Sequence, residues 1–488
     1  HIRMDKEFII AIELGSSKMT GIAGKKNLDG SITILAVAKE DSTLCIRKGV
    51  VYNIDKTTTA LTNLVKKLKN NLKTEIAKVY VGIGGQSLRS IKNTIVREQP
   101  EEAIITQDMV DSILDSNRAM TYTDQKILEA AIQEYKVDMQ YQIDPIGIEC
   151  KRLEGNFLNI LWRRSFYNKL EKCFESAHIR IADMYIAPLI LAENVLTEVE
   201  RRAGCMLVDL GADTTTVSVY WHNILRHLAV IPLGSNNITK DIASLQIEEK
   251  LQIDENEAET IKLRYASALT ENTDSNDLQN ITISGDRNID SATLADIVEA
   301  RIEEIIENVW MQVPNEYADK LMLGGIILTG GGANMRNMEK AFQHYTHINK
   351  VRTAKFVNLT INTAYPDQLP HDGSLNTVLS ILAKGNENCA GNNVNNDLFN
   401  GNYDGTSANA NAQHDEEKKA EEERKKQEEE KKAEEERRLA EEKAAAEAEE
   451  AQRLANEAAR KHSPLHRLFN SLKRFGNTII EGDNEEGK

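Results

Sequence analysis

Several things are scarce in this 488-residue chain. Aromatic residues make up 5%, and there are 8 prolines and 3 tryptophans. Basic charge is short as well: 60 Lys and Arg face 76 Asp and Glu, a net charge of −16, which argues against broad nucleic-acid binding. No run of about 18 apolar residues occurs, so no segment reads as a bilayer-spanning helix. No signal-peptide pattern opens the sequence. The five cysteines (Cys45, Cys150, Cys173, Cys205, Cys389) show no CxxC or His/Cys metal spacing and read as reduced thiols of a cytosolic protein. His178, His222, His227, His344, His347 and His371 have no metal-like spacing either, and read as surface or core residues.

The length suits two or more domains. A strand-like run ends at Ile12 and meets Glu13-Leu14-Gly15-Ser16-Ser17-Lys18; a second, Ile32 to Ala38, follows the turn at Asp29-Gly30. Leu61, Leu64, Val65, Leu68 and Leu72 recur at helical spacing, predicting an amphipathic helix over 57–72. The order returns about 195 residues later. The apolar run Cys205 to Leu210 meets Gly211-Ala212-Asp213-Thr214-Thr215-Thr216, two further strand-like runs follow, and a helix is predicted near Asn236 or Asn237. The repetition predicts two related α/β domains facing each other across a nucleotide-sized cleft.

Three Gly-containing stretches carry the candidate chemistry. In IELGSSKM (12–19), backbone N–H groups, two hydroxyls and an ammonium are offered to a phosphate. In VDLGADTTT (208–216), Asp209 is placed to hold a metal-bound water, and the following N–H groups and Thr hydroxyls to face a γ-phosphate. In IILTGGGANM (326–335), consecutive glycines let backbone approach a flat ligand closely. A single Gly turn after a strand is usually structural; the three together, on a duplicated layout, are the signal.

With these motifs the chain resembles the actin/Hsp70/sugar-kinase superfamily and, within it, the bacterial cell-division FtsA family. The stretches LRHLAVIPLGSNNITKDIA (225–243), AETIKLRYASAL (258–269), ADIVEARIEEII (295–306), HDGSLNTVLSILAKG (371–385) and VYVGIGGQSLRSIKNTIVRE (79–98) are similar to that family's, and the likeness covers about residues 5–385. It implies an actin-like ATPase fold with subdomain 1A at 4–84, 165–204 and 366–385, a small extra subdomain 1C at 85–164, subdomain 2A at 205–235 and 320–365, and subdomain 2B at 236–319. It implies ATP with Mg²⁺ in the cleft: Gly15, Ser16, Ser17 and Lys18 on phosphates, Gly211, Thr214 and Thr215 at the γ-phosphate, Gly330, Gly331 and Gly332 beside adenosine, Glu259 and Lys262 on the adenine or ribose side, and Glu13 and Asp209 at the metal through water.

Two residues depart from the pattern. Glu13 stands where the superfamily usually has Asp. Asp213 brings an anion to where the resemblance puts a γ-phosphate, a like-charge encounter costing about 4 kcal/mol at about 4 Å and an effective dielectric near 20; either Asp213 points away, or a metal sits between, or nucleotide binding is weak. With Ala187-Pro188 where some relatives carry Glu, at most a slow ATPase is expected.

After residue 385 the composition changes. Residues 386–414, rich in Asn, Gly and Ser, read as a flexible linker. Residues 415–462 are a Glu/Lys/Arg/Ala spacer whose pairs Glu421–Lys425, Glu422–Lys426, Glu428–Lys432 and Glu434–Arg438 are each worth about 0.2–0.5 kcal/mol in a helix. A single exposed helix is the favoured reading and plain disorder the alternative. Residues 463–480 then place Leu465, Leu468, Phe469, Leu472, Phe475 and Ile479 on one stripe, with Lys473 and Arg474 off it, which is the make-up of a helix lying in the headgroup plane of an anionic membrane. The FtsA-like resemblance implies a polymerising protein at the division site, on the cytoplasmic face of the membrane. It would tether FtsZ filaments through the FtsZ C-terminal peptide, with Arg301 as a contact for its carboxylates, recruit later division proteins, and bind no nucleic acid. A PilM-like cytoplasmic pilus scaffold and a small-molecule kinase of the same superfamily are the alternatives.

Overall fold

The computed structural model describes residues 7–249, 253–271, 280–285 and 287–391, all within one compact unit spanning His1–Val394. The expectations for the linker beyond residue 391, the 415–462 spacer and the membrane residues Leu465, Leu468, Phe469, Leu472, Lys473, Arg474, Phe475 and Ile479 lie outside the described residues.

Along the chain, β1 (Ile9–Leu14), β2 (Lys18–Lys26) and β3 (Ile32–Asp41) form a meander, followed by the short pair β4 (Ile46–Arg47) and β5 (Val50–Val51), helix α1 (Ile54–Leu72) and β6 (Val79–Ile83). Next come β7 (Arg89–Ile104), α2 (Gln107–Arg118), β8 (Gln125–Val137), β9 (Gln140–Gln142) and β10 (Glu149–Arg163), then α3 (Arg164–Ser176), β11 (Ile181–Ile186), α4 (Ala187–Val195) and α5 (Glu198–Ala203). The second meander is β12 (Cys205–Leu210), β13 (Thr215–Trp221) and β14 (Ile224–Ile231). It leads to α6 (Ser235–Glu249), α7 (Glu255–Tyr265), the pair β15 (Asn280–Thr282) and β16 (Asn288–Asp290), and α8 (Ser291–Met311). Short helices α9 (Asn315–Ala318) and α10 (Leu321–Gly324), β17 (Gly325–Thr329), α11 (Met338–Thr346), β18 (Val351–Thr353), β19 (Ile361–Thr363) and α12 (Asn376–Lys384) complete it.

Two sheets carry the same core order. One runs β11-β6-β1-β2-β3, with β19 added at its edge; the other begins β18-β17-β12-β13-β14. In each, the first strand is antiparallel to the next in sequence and parallel to its other neighbour. Helix α1 forms where the apolar period predicts, begun by Asn53, whose side chain accepts from the Lys56 N–H, and it buries Leu61, Leu64, Val65, Leu68 and Leu72. Each such leucine is worth about 1.5–3 kcal/mol. Alternation along β12 joins the halves. Cys205 and Leu207 face the core that includes Leu191 of α4 and Leu379 and Leu382 of α12, while Met206 and Val208 face the core of α6, α8 and α11. Helices α4 and α12 are therefore shared packing for both sheets.

Residues 89–163 form a long antiparallel sheet with α2 on one face and a small core of its own around Ile113, Tyr135, Leu153 and Phe157. Strand β7 meets β14 at Arg89 and Ala229, which makes the inserted strands continuous with the second sheet. Ser90 ties the junction: its Oγ accepts from the Leu228 N–H at 2.8 Å. The Arg226 guanidinium is buried beside it, 5.4 Å from the Trp221 ring centroid, and pairs with Glu134 of β8 at 3.4 Å.

Candidate functional site

Both meanders turn at a glycine. The Gly15 N–H donates to the Lys18 carbonyl at 3.0 Å, and the Gly211 N–H to the Thr214 carbonyl at 2.9 Å. The two hairpin tips are equivalent in the two sheets and face a common cavity of about 630 Å³. Around the first tip, Ser42 Oγ donates to the Gly15 carbonyl at 2.5 Å, and Ser16 Oγ accepts from the Gly49 N–H at 2.9 Å. That bond leaves the Ser16 hydroxyl proton available to an acceptor in the cavity. Ser17 and Lys18 are exposed on the cavity wall. Beneath the second tip, the start of α6 donates to its carbonyls, Ser235 N–H to Gly211 at 3.0 Å and Asn236 N–H to Ala212 at 2.7 Å.

Two carboxylates, Glu13 and Asp209, end β1 and β12 and line the same cavity. Burial, and after it the Asp209 charge, pushes Glu13 up to about 8; burial pushes Asp209 up to about 6. Gly330 is backed against Asp209. Its φ is +85°, and a Cβ there would stand 2.4 Å from Asp209 Oδ1 and 2.6 Å from the Leu210 carbonyl oxygen, so only glycine fits. Gly331 and Gly332 follow on the same wall. Opposite, Lys262 is buried, with its Nζ 2.8 Å from Glu259 Oε2 and 3.2 Å from the Ser235 carbonyl oxygen, and Glu259 also accepts from Thr239 Oγ1 at 2.5 Å.

The fold thus brings Glu13, Gly15, Ser16, Ser17, Lys18, Asp209, Gly211, Thr214, Glu259, Lys262, Gly330, Gly331 and Gly332 to one cleft. Of the residues expected there, it leaves out Thr215. Thr215 is fully buried on the other face of β13, donating to the Leu233 carbonyl at 2.9 Å; the next residue facing the cleft is Thr216, by strand alternation. Asp213 does not line the cavity. Its Oδ2 accepts from the Lys48 N–H at 3.1 Å and its Oδ1 from Asn236 Nδ2 at 2.8 Å. Arg301 is not a free surface cation: it holds Asp241 with two bonds of 2.6 and 2.9 Å and Glu304 with one of 2.7 Å.

Sequence reasoning missed Gly84 and Gly85, Asn236, Asn334 and Arg336, and Gly373 with Ser374, all on the cavity wall. Gly84-Gly85 follows strand β6 as Gly330-Gly331 follows β17, so the strand-then-glycine signal was present there too.

A cleft between two halves of matching strand order, each offering a glycine hairpin, defines the actin-like class of folds. A solved PilM-PilN type IV pilus biogenesis complex shares it, with a TM-score of 0.52 at 14% identity over 77% of this chain and 97% of that one. The sequence goes further. The profile described as Cell division protein FtsA matches residues 206–380, and that of the SHS2 domain inserted in FTSA matches residues 85–161. Cell division protein FtsA of Porphyromonas gingivalis is 31% identical over 68% of this chain and 69% of its own length; that of Neisseria meningitidis is 30% identical over 68% and 80%. The chain belongs to the FtsA family of cell-division proteins.

Proposed function

We propose that the chain is an ATP-binding adaptor that polymerises and tethers FtsZ filaments to the inner face of the cytoplasmic membrane at the division site, where it recruits later division proteins. The observation that carries the nucleotide part is the pair of equivalent hairpin tips facing one cavity, with the Ser16 hydroxyl proton and the Lys18 ammonium on one side and the Gly211 and Thr214 turn on the other. The donor set suits Mg²⁺. Two oxygen-bearing carboxylates, Glu13 and Asp209, share the cavity, and Mg²⁺ is commonly held by one or two carboxylates together with phosphates and waters. A bound cation would supply charge for the phosphates and keep both carboxylates ionised. Gly330–Gly332 give the nucleoside a bare wall, while the Glu259–Lys262 pair, fixed by Thr239, presents a preset donor and acceptor to its polar edge. Ala187 and Pro188 line the same cavity and neither side chain can act as a base, which favours slow hydrolysis and a structural role.

The membrane part rests on the sequence of residues 463–480. A single such helix binds modestly, and many copies on one filament bind firmly through avidity. The inserted subdomain is the proposed contact with the next subunit. The test is co-sedimentation of purified FtsZ with anionic liposomes, with and without this protein and ATP. FtsZ should pellet only when the full-length protein is present, and deletion of 463–480 should abolish pelleting. Equal pelleting by truncated and full-length protein would end the tether reading.

A further inference from the structure

The second hairpin tip carries an anion, Asp213, in the middle of what the proposed function treats as a phosphate-facing turn. Its neighbours Gly211, Ala212 and Thr214 line the cavity, and Asp213 does not. Its carboxylate instead reaches the first half of the molecule, where it accepts the Lys48 N–H, while Asn236 at the start of α6 supports the other oxygen.

The peptide it grips is unusual. Lys48 has a φ of +48°, the left-handed region that a side-chain-bearing residue adopts at a cost of about 1–2 kcal/mol. Its carbonyl accepts from the Gln86 N–H at 2.8 Å, three residues before the inserted sheet begins at Arg89. The next N–H, of Gly49, is the one that holds Ser16 Oγ. Gly49 is seated directly on Gly85, since a Cβ on Gly49 would lie 2.7 Å from the Gly85 Cα. Three consecutive backbone groups therefore address the second hairpin tip, the root of the inserted sheet and the first hairpin tip.

We propose that Asp213 is a positioning residue that latches the cleft. By holding the Lys48–Gly49 segment from the opposite half, it fixes the closed spacing of the two tips, orients Ser16 towards the ligand, and couples closure to the strand that leads into the inserted subdomain. Opening the cleft must break the Asp213–Lys48 bond and release a strained peptide. A charged group in this turn is then compatible with a triphosphate, because two donors hold its carboxylate away from the cavity wall. The inference rests on the nucleotide reading of the cleft and adds its regulation.

The test uses the full chain with two readouts: hydrogen exchange at the Lys48 and Gln86 amides without nucleotide, and the release rate of a fluorescent ATP analogue with Mg²⁺. In Asp213→Ala, exchange at Lys48 and analogue release should each quicken about tenfold, the loss expected for one hydrogen bond to a charged acceptor. Asp213→Ser, too short to span the gap, should reproduce this. Asp213→Asn keeps a neutral acceptor for the Lys48 N–H but sets an NH2 against the Asn236 amide, so it should fall between wild type and Ala in both. Unchanged Lys48 exchange in the Ala and Ser variants would overturn the latch. So would an Asn variant that behaves like Ala and alters the Mg²⁺ dependence of binding, because the charge would then be at work inside the cleft. Exchange is read without ligand, so a wild-type protein that binds no ATP would sink the proposed function while leaving the latch to stand or fall on its own measurement.

Discussion

The two hairpin tips occupy equivalent places in their sheets and do different work. The first, Gly15 to Lys18, keeps its hydroxyls and ammonium for the cavity and is braced from its own half by Ser42 and Gly49. The second, Gly211 to Thr214, offers backbone and one Thr to the cavity and sends its only charged side chain to the other half. The same strand order thus carries two different tips: one whose hydroxyls and ammonium line the cavity, and one whose charged side chain bonds to the other half. The same contrast runs through the glycines behind them. Gly85, with φ of +83°, packs on the Gly49 backbone, whereas Gly330, with φ of +85°, packs on a carboxylate of the site itself.

That contrast can be attacked directly. The largest effect is expected at Gly330→Ala. Left-handed backbone and a Cβ pressed on Asp209 together cost about 3 kcal/mol, so ATP affinity should fall about a hundredfold in a binding titration, and an affinity within a few-fold of wild type would show that the wall yields. Lys18→Ala removes a charge-assisted contact on the first tip and should weaken ATP about tenfold; equal affinity would remove Lys18 from the site.

The pH dependence comes next. Glu13, raised to about 8, is largely protonated at neutral pH in the ligand-free protein. Its contribution to stability is fully present below its ordinary value of 4.5 and is lost as pH rises towards 8, so the melting temperature without Mg²⁺ should decline across that window. A cation requires the ionised form, so Mg²⁺-dependent nucleotide affinity should climb between pH 6 and 8, where Asp209 and then Glu13 lose their protons. Glu13→Gln should flatten the Glu13 part of the climb. A flat wild-type profile would place the cation elsewhere.

The smallest effect separates adjacent threonines at the start of β13. Thr215→Val removes a buried hydrogen bond and should cost about 1 kcal/mol of stability with ATP affinity unchanged. If affinity dropped instead, the assignment of faces along β13 would be wrong.

Much of this architecture was legible before any coordinates. The α1 stripe, both strand–glycine–strand turns and the repeat at about 195 residues follow from local periodicity and turn chemistry, which act between near neighbours in the chain. Strand alternation was also local information, and following it one residue further would have exchanged Thr215 for Thr216. Arg301 is a different case. Its neighbour Glu304, three positions on, was readable in the sequence, but Asp241, sixty positions away on another helix, was not.

By itself the sequence determined the class of fold, the family and the residue types gathered at the cleft, because each is written in short-range pattern. Only the tertiary structure decided which way Asp213 turns, that Glu13 and Asp209 line one cavity where burial raises both pKa values, and that the inserted strands continue the second sheet. Those outcomes depend on distances between residues tens to hundreds of positions apart, and on the low dielectric that closing two halves over a cavity creates.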